Sequence, residues 1–125
     1  MGSETKGAIL RGLMWSMAGT AALTGTLVMT RGHRGIPGST TAPDASTDSV
    51  LRFYSVIWAT QAAVFGRAAA RRTLDRGELD RLAVITAAGG AARALAWRSS
   101  GRPHPLFRVL TVQELAMPVV VRLLR

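Results

Sequence analysis

The sequence contains no cysteine. Disulfides, thiolate metal sites and cysteine nucleophiles are therefore excluded, and cysteine usage says nothing of the redox compartment. Acidic residues are scarce, seven against sixteen basic ones, for a formal charge of +9. Lysine is scarcer still: Lys6 is the only one, and the remaining basic residues are arginines. That skew fits coding bias as well as function. Also missing are a phosphate-binding glycine loop, a nucleophile elbow and a zinc motif. "GGAAR" (89–93) is no nucleotide fingerprint, because it lies inside a helical pattern rather than between strand and helix. The histidines, His33 and His104, fall in loops, and two without a third ligand make a weak metal case. No metal and no cofactor are expected.

What the chain does have is apolar mass. Its 125 residues, enough for one domain, are 48% hydrophobic. Strong basicity in a soluble protein points to nucleic acid, whereas this much alanine, leucine, valine and glycine points to a membrane. The placement of the arginines arbitrates. A nucleic-acid binder gathers them in one patch or stripe. Here most sit at segment ends and bracket apolar runs, which favours lipid and no nucleic acid.

Four helical segments are expected, at about 8–30, 49–72, 79–99 and 106–124, with an outer loop over 31–48. The run "GLMWSMAGTAALTGTLVMT" (12–30) carries no charge over nineteen residues. It would reach about 28 Å, close to the hydrocarbon thickness and long for a signal peptide. Ser16, Thr20 and Thr24 form a small stripe headed by Gly12, and Ala21 and Gly25 form another. Such stripes let helices approach closely in lipid. The second segment has a charge-free run of only fourteen residues (53–66), adequate if Arg52 and Arg67 snorkel outward. Asp48 or Ser49 is expected to cap it, and Tyr54, Trp58, Gln61 and Phe65 share one face. The charge-dense stretch 67–81, with Gly77 as its breaker, reads as a solvated turn. Gly89 and Gly90 in the third segment each cost about 1 kcal/mol relative to alanine, tolerable where a neighbouring backbone packs on them.

Two charges remain inside apolar segments. The short link between segments three and four makes them antiparallel neighbours. Arg93 and Glu114 lie at similar distances from that link, about 12–16 Å along regular helices. An ion pair between them is the cheapest way to keep both charged, since an unpaired charge at the bilayer centre costs about 3 kcal/mol or more. Arg52 is the competing partner for Glu114, unless Asp48 takes it at i, i+4. Pro118 lacks an N–H, so the Glu114 carbonyl loses its intrahelical donor and a kink is expected. The buried polar cluster expected is thus Asp48, Arg52, Tyr54, Arg93 and Glu114, with Trp58, Gly89, Gly90 and Pro118 serving packing and the kink.

The blocks "DSVLRFYSVIW" (48–58), "GGAARALAW" (89–97), "GRP" (101–103) and "ELAMP" (114–118) resemble those of a small bacterial membrane family, domain of unknown function 4345, itself similar to DoxX-like four-helix proteins. The resemblance spans about residues 6–124 and implies four spans. It also implies that Asp48, Arg52, Tyr54, Trp58, Gly90, Arg93, Glu114 and Pro118 form a shared polar and packing core. It carries no reaction.

The expectation is therefore an all-α protein, an antiparallel four-helix transmembrane bundle forming one domain over 1–125. The positive-inside rule puts the 67–81 turn and both termini in the cytoplasm of an inner or plasma membrane. The expected role is a non-enzymatic accessory or structural subunit, in contact with membrane lipid and with a larger membrane complex or a second copy. The alternative is a binder or carrier of a lipid or quinone-like molecule through Arg93 and Glu114.

Overall fold

Four α-helices and one 3-10 turn order the chain, with no strand: α1 Ser3–Arg31, the turn Gly32–Gly35, α2 Ala45–Ala70, α3 Arg76–Ser100 and α4 Pro105–Leu124. The structure is a computed structural model describing residues 1–125.

Caps decide where the helices begin. The Thr47 N–H donates to Asp44 Oδ1 at 2.8 Å, so α2 starts at Ala45 and not near 49. Asp48 and Ser49, read as caps, lie within α2 instead. Asp44 and Asp48 have the same capping chemistry, but Asp48 is spent on Arg52 at i, i+4. The loop expected over 31–48 therefore yields 32–35 to a 3-10 turn and 45–48 to α2. Asp75 accepts the Glu78 N–H at 2.8 Å and starts α3 at Arg76. Gly77, read as the breaker, sits in the first turn of α3, and the break falls at 71–75. Gly101, at φ +92°, closes α3 in backbone space open to glycine. His104 Nδ1 accepts the Leu106 N–H at 3.3 Å, and Pro105 opens α4 where its missing donor costs nothing. α4 stays helical through Pro118.

The chain divides into two compact units, Arg11–Arg71 and Met1–Leu10 with Arg72–Arg125. In the first, α1 and α2 lie side by side with opposed chain directions. Trp15 borders Gly66, Thr24 meets Trp58, Gly25 meets Ala59, and Met29 meets Arg52. A Cβ on Gly25 would lie 2.7 Å from the Ala59 nitrogen, so only glycine allows the two backbones to come this close. Met14, Met17, Ala18 and Ala21 are buried at i, i+3, i+4 and i+7. Of the serine–threonine stripe, Ser16 is exposed and Thr24 alone accepts a hydrogen bond from α2. Thr20 and Thr24 donate back to carbonyls of their own helix.

Each end of this pair is capped by an arginine from the opposite helix. Arg11 of α1 donates to the Ala69 carbonyl at 2.7 Å and to that of Arg71, at the C-terminus of α2. Arg52 of α2 donates to the Met29 and Thr30 carbonyls at 3.1 and 3.4 Å, at the C-terminus of α1. Both place positive charge where the helix dipole and orphan carbonyls attract it.

In the second unit α3 and α4 pack together. Asp80 pairs with Arg125 at one end and Arg93 with Glu114 further along, so these two helices also run in opposed directions. Leu79, Leu82, Ala83, Thr86 and Gly90 are buried from α3, and Leu110, Thr111, Glu114, Met117 and Val121 from α4.

Candidate functional site

Glu114 is the most deeply buried ionisable residue, 3% exposed. It lies on the α4 stripe 110, 114, 117 and 121, which helical spacing turns toward the core. Arg93 reaches it from α3. Its Nε donates to Glu114 Oε2 at 2.9 Å and to Oε1 at 3.2 Å. The same guanidinium lies 5.5 Å from the centre of the Phe107 ring, two turns earlier on α4. A cation over an aromatic face contributes about 0.5–2 kcal/mol, more as water is excluded. Arg93 thus bridges a carboxylate and an aromatic ring on one helix.

Gly90 makes this geometry available. A Cβ there would lie 2.9 Å from Glu114 Cβ and 3.0 Å from the Leu115 nitrogen. Only glycine brings α3 that near the base of the glutamate. Gly89 plays no such part, because nothing lies within 4 Å of its would-be Cβ and it is exposed. The two glycines are one residue apart, which on a helix turns the second about 100° from the first.

The five residues grouped as a buried polar cluster resolve differently. Asp48 and Arg52 pair with each other, Arg52 Nε to Asp48 Oδ2 at 2.8 Å, in the unit that holds α2. Arg52 is exposed and is spent on Asp48 and two α1 carbonyls, so Glu114 takes Arg93. Tyr54 is 63% exposed, edge-on to Phe53 at 5.5 Å. Helix phase does not set it apart, since Phe65, eleven residues on, shares its face and is buried. Trp58 is half-buried and donates from Nε1 to Thr24 Oγ1 at 2.7 Å, satisfying its polar edge inside the helix pair. Pro118 leaves the Glu114 carbonyl without its usual helical donor. His104 is held at the α4 cap, and no group of three or more His, Cys, Asp or Glu side chains is placed to hold a metal.

Three features were not read from the sequence. Phe107 beneath Arg93 is one; its spacing of seven from Glu114, two turns on one face, was the available signal. The crossed arginine caps are another, visible only once α1 and α2 are known to be neighbours. The third is a cavity beside the 3-10 turn, in a stretch whose composition reads only as loop. Thr86 Oγ1 and Arg108 Nε are buried without a hydrogen-bond partner.

A single carboxylate locked to an arginine offers binding and positioning chemistry. Fold and site together define a small all-helical protein, one of whose units holds an arginine–glutamate pair between two helices. The chain belongs to the family described as domain of unknown function (DUF4345), which matches residues 9–125. No curated protein and no solved structure matches it. One helical stretch, Ser3–Gly35 near the N-terminus, is long and apolar enough to cross a membrane.

Proposed function

We propose that the chain is an integral membrane protein without enzymatic activity, a structural or accessory subunit whose four helices cross an inner or plasma membrane in succession as an antiparallel bundle. The observation that carries this reading is the apolar surface. Val84, Ile85 and Leu95 on α3, and Val109, Val112, Val119 and Leu123 on α4, are all more than 60% exposed. Leu23 on α1 and Phe53 on α2 are equally bare. A water-soluble monomer seldom shows large apolar side chains on every helix, whereas lipid or a partner subunit covers them at no cost.

Length supports the same reading. The shortest of the four helices, α4, has 20 residues, about 30 Å. Only the α1 stretch is apolar enough along a whole window. In the middle of α3 and α4 the interrupting charges are Arg93 and Glu114, which pair with each other, while Arg81, Arg98, Arg108 and Arg122 lie nearer the helix ends. A paired charge costs lipid far less than its separate members. In this reading the positive-inside rule favours a cytoplasmic side for both termini and the 67–81 turn. The four consecutive helices also support kinship with DoxX-like proteins as part of the proposal.

Within it, the Arg93–Glu114 lock is structural. The tight approach at Gly90 leaves no room for even a methyl group beside the glutamate, which favours packing over a lipid or quinone seat. Protein partners are a larger membrane complex or a second copy, docked on the exposed apolar faces. Extraction of cell membranes tests the reading. The protein is expected to stay in the pellet through high salt and alkaline carbonate and to leave it only with detergent. Release as a soluble species by either wash refutes it, because electrostatic adsorption yields to salt.

A further inference from the structure

An open concavity of about 810 Å³ lies beside the 3-10 turn, lined by three arginines, Arg31, Arg34 and Arg52, and by His33, with Asp48 the only carboxylate. The charges there do not balance. Asp48 is committed to Arg52 at 2.8 Å, and Arg52 also caps α1 through the Met29 and Thr30 carbonyls. The nearby Asp44, at the start of α2, is committed to the Thr47 N–H at 2.8 Å. Arg31, His33 and Arg34 engage no carboxylate and no carbonyl of the fold. Two guanidinium groups and an imidazole therefore face one concavity with their donors unused.

The backbone is shaped to hold this arrangement. Gly32 sits at φ +58°, a conformation that costs other residues about 1–2 kcal/mol. A Cβ on it would lie 2.7 Å from Asp48 Oδ1 and 2.9 Å from Arg52 Nη2. Glycine thus lets the Asp48–Arg52 pair press against the turn, which carries Arg31 on one side and His33 and Arg34 on the other. The pair fixes the wall, and the free arginines supply the binding charge.

We infer that this cavity is a binding site for a phosphate group, held by Arg31 and Arg34. The planar guanidinium fork matches the oxygens of a phosphate and forms charge-assisted bonds about twice as strong as neutral ones. The group is either that of an anionic phospholipid or that of a small soluble phosphate. Every residue of the site belongs to the Arg11–Arg71 unit.

The test uses the full chain in an uncharged mild detergent, in three forms: the natural sequence, the double variant Arg31→Gln/Arg34→Gln, and the control Arg98→Gln/Arg102→Gln. The control removes the same charge from exposed arginines outside the cavity. Native mass spectrometry reads retained phosphatidylglycerol, and calorimetric titration reads binding of inorganic phosphate. Lipid retained by the natural chain and the control, and lost from Arg31→Gln/Arg34→Gln, supports the site with a headgroup as its source. Phosphate binding weakened about tenfold or more in that variant alone, without retained lipid, supports it with a soluble source. Equal behaviour of the two variants, or binding of neither probe by the natural chain, overturns the inference.

Discussion

Alanine at position 89 and alanine at position 90 should move stability in opposite directions. Either change removes a glycine from the interior of α3 and gains about 1 kcal/mol of helix propensity. At Gly89 that gain stands alone, because the new methyl meets nothing within 4 Å. At Gly90 the methyl would start 2.9 Å from Glu114 Cβ and 3.0 Å from the Leu115 nitrogen. Carbon contacts relax at about 3.5–4.0 Å, so α3 and α4 must separate by roughly 0.5–1 Å. Both obstructing atoms are at or next to the α4 backbone and have no rotamer to escape into. Separation stretches the Arg93 Nε contacts of 2.9 and 3.2 Å. Overpacking of this kind costs about 1–3 kcal/mol, which outweighs the propensity gain. The net expectation is about +1 kcal/mol for Gly89→Ala and about −1 kcal/mol for Gly90→Ala. For a chain of this size the two melting temperatures should differ by about 8 °C around that of the natural protein. Circular dichroism melts in one mild detergent measure it directly. If Gly90→Ala is as stable as Gly89→Ala, α3 and α4 do not approach as closely as described and the argument for a structural lock fails.

The lock itself should behave unequally under substitution. Glu114→Ala leaves Arg93 without its partner and should cost about 3 kcal/mol, whereas replacing both residues by methionine should cost less than either single removal. A double-mutant cycle by chemical unfolding checks this, and a double variant worse than Glu114→Ala would contradict it. Acid should loosen α2 from its start. The N–H of Thr47 holds the Asp44 carboxyl below its ordinary range, with the side-chain bond adding to this. Its cap is therefore fully present above the ordinary aspartate value and is lost as pH falls through the lower folded value. Amide exchange at Thr47 should quicken in that window, and Asp44→Asn should remove the pH dependence.

How much of this was legible depended on what the residues could specify locally. The four helices followed from apolar runs set between turn residues. Their ends did not, because Asp44, Asp48 and Ser49 are equally good caps until Arg52 claims Asp48. The approach of Arg93 to Glu114 could be argued because a short link forces equal depth on two adjoining helices. Gly90 could not be separated from Gly89 by that spacing, since 86, 89, 90 and 93 are i, i+3, i+4 and i+7 on one side of α3, and only the packing of α4 distinguishes them. Tyr54 misled because spacing defines a face without saying where along the helix that face is covered: Phe65, three turns on, is buried and Tyr54 is not. The cationic cavity was invisible for a different reason: it depends on a glycine at positive φ in a stretch whose composition says only that it turns.

The crossed caps of Arg11 and Arg52 restrict how the α1–α2 pair can move. Sliding one helix past the other by a single turn shifts it about 5.4 Å. That displacement would strip both arginines from their carbonyls at once, whichever way the helix slid. It would also drive Ala59 off Gly25, where a side chain in its path has no space. A piston stroke is therefore the motion this hairpin resists most. A signal passed along this hairpin would therefore not travel as a sliding of one helix past the other.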